Sequence, residues 1–390
     1  MEVKNIVILG FGDMGKGIAQ VCLLAGYNVT AVDVNDKIIQ EGLKYNKTGF
    51  EKLEEKGKLP QGVTVAAIME KLKVDKNLNN AVKNADLVIE AVSEKSDLKQ
   101  QLCKQVIENS PEHCIFASNT STISITEIAQ QCNRPENVIG MHFFNPAPLM
   151  RLIEVIKGDK TSEETMKIGV NVANTLPCLR RERFVAQVLK DSPGFIVNRV
   201  LAPNSIYNNY ILDLAYEKGI SWEQVDADLS NPNAPMSSLT LADFTGRDIA
   251  YNASLYYAEK ISSDFKPGKV LTMQYNNGTL GKKTGKGFYD WSKGRPQPDL
   301  SKKAGLVDRR VFAAISANEG CRILEEGVVK SWKVIDEAIL AGMNFPGPMQ
   351  YATTNYKELS NILEEYSEKL GKQYIKPCEL LKSGKFVDMK

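Results

Sequence analysis

The chemistry this chain could perform begins with its histidines, of which it has only two. His113 follows Ser110-Pro111-Glu112, a polar loop, and reads as a surface residue. His142 follows Val138-Ile139-Gly140-Met141 and precedes Phe143-Phe144-Asn145-Pro146. That position is the carboxyl end of a strand, where open α/β sheets bind ligands. Taken alone, a histidine among aromatic rings is more often a satisfied core residue. Glu154 changes the balance, because it lies inside the apolar run Leu152-Ile153-Glu154-Val155-Ile156. A carboxylate buried without a partner is costly. Pairing with His142 would orient the imidazole and support its charged form. A base so placed could take the proton of a hydroxyl while the carbon beneath it is oxidised.

A second constellation explains where the electrons would go. Gly10-x-Gly12-x-x-Gly15, with Met14 inside it, follows the apolar run Asn5–Leu9 and opens a helical pattern. An acidic residue, Asp33, ends the next apolar run 18 positions after Gly15. In that context the glycines have distinct tasks. Gly10 permits a tight turn, Gly12 admits a pyrophosphate to the backbone, and Gly15 lets the helix lie close on the sheet. The helix N-terminus offers amides and partial positive charge to the diphosphate. Asp33 would accept from ribose hydroxyls and repel a 2′-phosphate, and Val34-Asn35-Asp36 supplies no arginine to receive one. The expected cofactor is NAD rather than NADP.

These groups need a scaffold. Apolar strands at 5–9, 29–32, 87–89, 115–117 and 138–139 alternate with helical stretches, which predicts an α/β Rossmann-type, doubly wound parallel sheet. Two charged helical stretches, 36–56 and 64–72, interrupt the alternation and predict a hairpin standing off the sheet, either a solvated excursion or a ligand clamp. After Pro193-Gly194 strand patterns fade and amphipathic helices take over. The segment from Gly219 through Ser221-Trp222 to Asp226 resembles the one from Gly327 through Ser331-Trp332 to Asp336. Each is followed by a proline-containing stretch. Two all-α helical domains in tandem are therefore expected, giving domains at 1–190, 191–296 and 297–390.

Composition narrows the partners. Lysine and arginine total 49 against 47 acidic residues, a net charge of +2, so no global field draws nucleic acid or membrane. The seven cysteines are scattered without a CxxC pair, which favours reduced thiols over disulfides or a metal site. No apolar run approaches the roughly 20 residues that span a bilayer. The chain opens directly into a strand pattern, leaving no signal peptide. A cytoplasmic location is the expectation.

Four segments follow the glycine loop in order: Asn119-Thr120-Ser121, His142-Phe143-Phe144-Asn145-Pro146, Asp191-Ser192-Pro193-Gly194-Phe195-Ile196-Val197-Asn198-Arg199, and Lys283-Thr284-Gly285-Lys286-Gly287-Phe288-Tyr289. Together they resemble the L-3-hydroxyacyl-CoA dehydrogenase family over nearly the whole chain. The resemblance implies NAD-dependent oxidation of a 3-hydroxyacyl-CoA thioester, with His142 as acid/base and Glu154 as its orienting carboxylate. It implies that Ser121 and Asn198 bond the substrate's 3-oxygen or thioester carbonyl. Glu94, Lys99, Asn145 and Lys283 match positions at the nicotinamide end of the cofactor, and Lys56 a position contacting coenzyme A. From the residues alone, Ser121 could instead cap a helix, and Asn198 could satisfy a helix start. The doubled helical region and the end Lys376-Pro377-Cys378-Glu379-Leu380-Leu381 are similar to the long, multifunctional members. They imply either a monomer with an internal pseudo-dimer or a homodimer. Two segments depart from the family pattern. Asn233-Ala234-Pro235-Met236-Ser237-Ser238 stands where Gly-Phe-Pro-x-Gly-Pro is usual. A longer segment carries Arg180, Arg181 and Arg183, read as a solvated loop or as an extra anion contact. Two rival readings are a dehydrogenase of a free hydroxy acid such as gulonate or carnitine, and a non-catalytic NAD-binding protein.

Overall fold

The computed structural model describes residues 2–231 and 234–390, so Asn233 of the departing turn lies outside the described residues. Its strands are β1 (Asn5–Leu9), β2 (Asn28–Val32), β3 (Leu72–Asp75), β4 (Leu87–Glu90), β5 (Ile115–Ser118), β6 (Val138–Phe143), β7 (Leu152–Lys157) and β8 (Phe184–Val188). They form one sheet in the order β3-β2-β1-β4-β5-β6-β7-β8. Neighbours are parallel except β6 and β7, which run antiparallel. The order reverses between β1 and β4, the crevice where such sheets take ligands. The central strands are apolar throughout because both of their faces are covered; Ile8, Ile89 and Ala117 are fully buried.

Helix α1 (Asp13–Leu24) follows β1 and buries Gly15, Gly17, Ile18, Ala19, Val21 and Cys22. Helix α2 (Asp36–Glu55) opens at Asn35, whose side chain accepts from the Lys37 and Ile38 amides. The two helices of the expected hairpin are present, but they pack onto the sheet domain and do not stand off it. Gly42 of α2 meets the Phe11 ring and Gly49 meets Gln20, so this helix lies close on α1 and its loop. Phe50, Leu53, Ile68 and Leu72 belong to the sheet's own core, and after the short helix Val65–Glu70 the chain re-enters the sheet as β3.

The chain divides into two units: residues up to 198 with 323–347 and 389–390, and residues 199–322 with 348–388. In the first unit, helix Trp332–Met343 lies behind β7, where Gly342 is close to Leu152 and Phe144 and Glu337 pairs with Arg151 at 3.1 Å. The second unit is helical, and its helices include Asn204–Glu217, Trp222–Leu229, Arg247–Lys260 and Met349–Leu370. The sequence repeat corresponds to a repeated start of a helix. Gly219 and Gly327 both have positive φ, and Ser221 and Ser331 both cap the helix that a tryptophan opens. Beyond it, Gly347 presses against Asp336, whereas the Ser237 hydroxyl donates to Asp226 at 2.6 Å. Among the described residues no helix is long and apolar enough to cross a membrane.

Candidate active site

Antiparallel pairing of β6 with β7 sets His142 opposite Glu154. Cross-strand partners share a face, so the two side chains meet directly. His142 Nδ1 is 2.6 Å from Glu154 Oε2, and both residues are buried. The other carboxylate oxygen accepts from the Ile196 and Val197 amides at 3.1 and 3.0 Å. Those amides are aimed by the bend at Gly194 (φ 81°) and Phe195 (φ 59°), the latter a left-handed conformation unusual for a side chain of that size. With both oxygens engaged, the buried carboxylate is compensated without a cation. Nδ1 therefore carries the proton it donates, and Nε2 is left as the acceptor, with no partner among the described residues. Phe144 and Phe195 flank the imidazole with ring centroids 4.6 and 5.7 Å away.

Hydrogen bonds tie the neighbouring segments into one assembly. Asn119 Oδ1 accepts from the Phe143 amide at 2.8 Å, joining the Asn119-Thr120-Ser121 loop to the histidine strand. The Ser121 carbonyl accepts from Asn198 Nδ2 at 3.4 Å. Glu94 holds the same loop from outside, accepting from Thr120 Oγ1 at 2.5 Å and from the Ser121 amide at 2.9 Å. Burial pushes the Glu94 carboxyl up, but the Lys99 ammonium, Thr120 and Ser121 together hold it below its ordinary value. Ser121, His142, Glu154 and Asn198 are thus linked through adjoining loops and strands.

Lys99 lies inward of Glu94. It is 1% exposed and pairs with Glu90 at 2.7 and 3.0 Å and with Glu94 at 3.2 Å. Its ammonium braces Glu94 from within. Glu90, absent from the sequence reading, is the centre of this group, since it also accepts from Ser118 Oγ and the Val92 amide. It carries the signal that singled out Glu154: a carboxylate ending the apolar strand Leu87–Glu90.

The glycine loop sits at the switch point. Gly10 has φ 84° and a side chain there would meet the Ala91 carbonyl at 2.7 Å; one at Gly15 would meet the Gly10 carbonyl at 1.8 Å. Nothing lies within 4 Å of a side chain built at Gly12, which leaves open space over the first turn of α1. That turn, with half-buried Met14, has amides free of side-chain caps, as an anion cradle requires. Asp33 Oδ2 accepts from the Phe11 amide at 2.9 Å and Oδ1 from the Asn35 amide at 2.9 Å, which places its carboxylate beside the loop. These residues fit a dinucleotide.

The remaining candidates are spread out. Asn145 is exposed beside the histidine strand, ahead of a cis proline. Lys56 is exposed at the C-terminal end of α2. Lys283 belongs to the second unit, where it pairs with Asp248. His113 is a surface residue bonded to Asp86 at 3.0 Å. Arg180 and Arg181 are exposed, but Arg183 is half-buried and its donors are not available to an anion. It donates to the Leu176, Ala147, Met150 and Pro177 carbonyls at the entry to β8.

A doubly wound sheet with a glycine loop at its switch point and a buried His–Glu pair beyond it defines a dinucleotide-binding oxidoreductase. The chain belongs to the 3-hydroxyacyl-CoA dehydrogenase family. Residues 5–177 match the model of its NAD binding domain and residues 194–291 that of its C-terminal domain. A probable 3-hydroxybutyryl-CoA dehydrogenase of Bacillus subtilis is 38% identical over 75% of this chain and 98% of its own length. The fatty acid oxidation complex subunit alpha of Shewanella baltica is 35% identical over 98% of this chain. The chain spans only about half (55%) of that longer relative. The crystal structure of 3-hydroxybutyryl-CoA dehydrogenase from Escherichia coli superimposes with a TM-score of 0.82, at 25% identity and 98% coverage of both chains.

Proposed function

We propose that this protein catalyses the reversible, NAD-dependent oxidation of a (S)-3-hydroxyacyl-CoA to the 3-oxoacyl-CoA. The observation that carries the reading is the buried His142–Glu154 pair, whose geometry leaves Nε2 as a free base. Bound nicotinamide would accept the hydrogen of the carbinol carbon with its electron pair. The chain's own residues do the rest. His142 Nε2 takes the 3-hydroxyl proton, and Glu154 holds the ring and stabilises the imidazolium that forms. In the reverse direction the imidazolium returns that proton to the 3-oxo group. Ser121 and Asn198 hold the 3-oxygen or the thioester carbonyl, and Phe144 and Phe195 exclude water from the imidazole. The first turn of α1 receives the cofactor's diphosphate and Asp33 its ribose hydroxyls. Lys56 offers its charge to the phosphates of coenzyme A. We also read the chain as cytoplasmic, and as either a monomer whose doubled helical region forms an internal pseudo-dimer or a homodimer; light scattering during gel filtration decides between the two.

The activity test follows NADH formation across a chain-length series of 3-hydroxyacyl-CoAs with the matching free acids alongside. Turnover of the thioesters and not of the free acids is expected. No NADH from any thioester, or equal kcat/KM for the free acids, would overturn the reading.

A further inference from the structure

One face of helix Ser96–Asn109 is held against the segment that follows β5. Ser96 Oγ donates to Glu127, and Gln131 Nε2 donates to Gln100 Oε1 at 3.0 Å. Cys103 continues that face, since positions 96, 100 and 103 follow one another along a helix side. It meets Cys132, immediately after Gln131, with the two sulfurs 2.7 Å apart. Both are free thiols. The separation compares with about 2.05 Å in a disulfide bond. Cys103 is fully buried, whereas Cys132 is only half-buried.

We propose that Cys103 and Cys132 form a redox-modification site, a dithiol that small hydroperoxides convert reversibly into an intrachain disulfide. The two sulfurs have separate tasks. The contact with Cys103 holds the Cys132 thiol below the ordinary thiol range, against burial and nearby Glu108 and with help from Arg134. Burial pushes the Cys103 thiol up. The Cys132 thiolate is therefore the attacking group and Cys103 the resolving one. Cys132 sulfur attacks the peroxide: an S–O bond forms, the O–O bond breaks, and the alcohol, or water from hydrogen peroxide, leaves. Cys103 sulfur then attacks the sulfenic acid: the S–S bond forms, the S–O bond breaks, and hydroxide leaves with the Cys103 proton as water. Two thiols and one peroxide thus give one disulfide, one alcohol and one water. The contacts at Ser96 and Gln100 already hold the two segments together, so the cross-link needs no rearrangement of the fold. It ties down the helix that carries Lys99, one turn before Cys103.

The test treats the whole protein with an about tenfold excess of hydrogen peroxide and blocks remaining thiols with iodoacetamide in denaturant. The protein is then digested without reduction and the peptides weighed. The expected product is a Cys103–Cys132 peptide pair lighter by two hydrogens, abolished by dithiothreitol and by Cys132→Ser, and retained in Cys178→Ser. Recovery of both residues as alkylated thiols, or a cross-link joining either of them to another cysteine, would overturn the proposal. Folding of the Cys132→Ser protein is checked independently by its thermal unfolding. If that variant fails to fold, the peptide masses of the parent and of Cys178→Ser decide the matter.

Discussion

Replacing Glu154 by glutamine keeps the shape of the side chain and removes one acceptor. In the parent, Oε1 accepts from the Ile196 and Val197 amides at 3.1 and 3.0 Å, and Oε2 from His142 Nδ1 at 2.6 Å. An amide offers one oxygen and one NH2 group. If the oxygen stays with the two backbone amides, the NH2 faces Nδ1 and drives the imidazole proton onto Nε2. In the proposed reaction that atom receives the substrate proton. Turning the amide round restores the working tautomer but leaves two buried N–H groups unsatisfied, at about 1–3 kcal/mol each. The idle arrangement is then favoured by about 2–6 kcal/mol. At about 1.36 kcal/mol per tenfold, kcat for Glu154→Gln falls by between about 30-fold and about 3 × 10⁴-fold. KM should hardly change, because Glu154 does not touch the substrate. The assay is NADH absorbance at saturating (S)-3-hydroxybutyryl-CoA and NAD, with thermal unfolding to show that the fold persists. A folded variant with kcat within about threefold of the parent would refute the tautomer argument.

Asp33→Ala removes a charged acceptor for the ribose, worth about 1.5–3 kcal/mol, and should raise KM for NAD by about 10- to 150-fold with kcat retained; an unchanged KM contradicts the cofactor assignment. Lys99→Met strands Glu90, which is fully buried, and should lower the unfolding free energy in urea by about 3–5 kcal/mol. A loss below about 1 kcal/mol would mean that Lys99 is no brace. Glu94 titrates in the folded protein below its ordinary 4.5, because Lys99 and the loop donors outweigh burial. Its stabilisation is therefore complete above that value and is lost as pH falls through the lower folded one. The stability difference between parent and Glu94→Gln should shrink as pH drops below 4.5, and a difference constant into acid would contradict it.

The strands that sequence patterning found are those covered on both faces, where burial demands an unbroken apolar run. β3 and β8 were not read because they are the edges of the sheet. Leu72-Lys73-Val74-Asp75 alternates as a half-wet strand does, and it follows directly on a helix. Phe184–Val188 adjoins arginines that suggested a solvated loop, although Arg183 spends its donors on carbonyls that shape the entry to β8. The His142–Glu154 pair was legible because a charge within an apolar strand has few ways to be satisfied. The same logic applied to Glu90, but its partner Lys99 lies in a charged helix where one more lysine carries no signal. Pairing across a sheet-to-helix interface leaves no local periodicity to read. The contact of Cys103 with Cys132 was hidden for the same reason, since 28 intervening residues separate the two and only the fold closes the gap.

In the proposed reaction His142 Nε2 is the group that moves the substrate proton. The direct test compares His142→Ala with the parent for oxidation of (S)-3-hydroxybutyryl-CoA, with NADH affinity measured in parallel by fluorescence titration. A fall in kcat of about 10²- to 10⁴-fold with unchanged NADH affinity is the predicted result. Parental kcat in the alanine variant would contradict it.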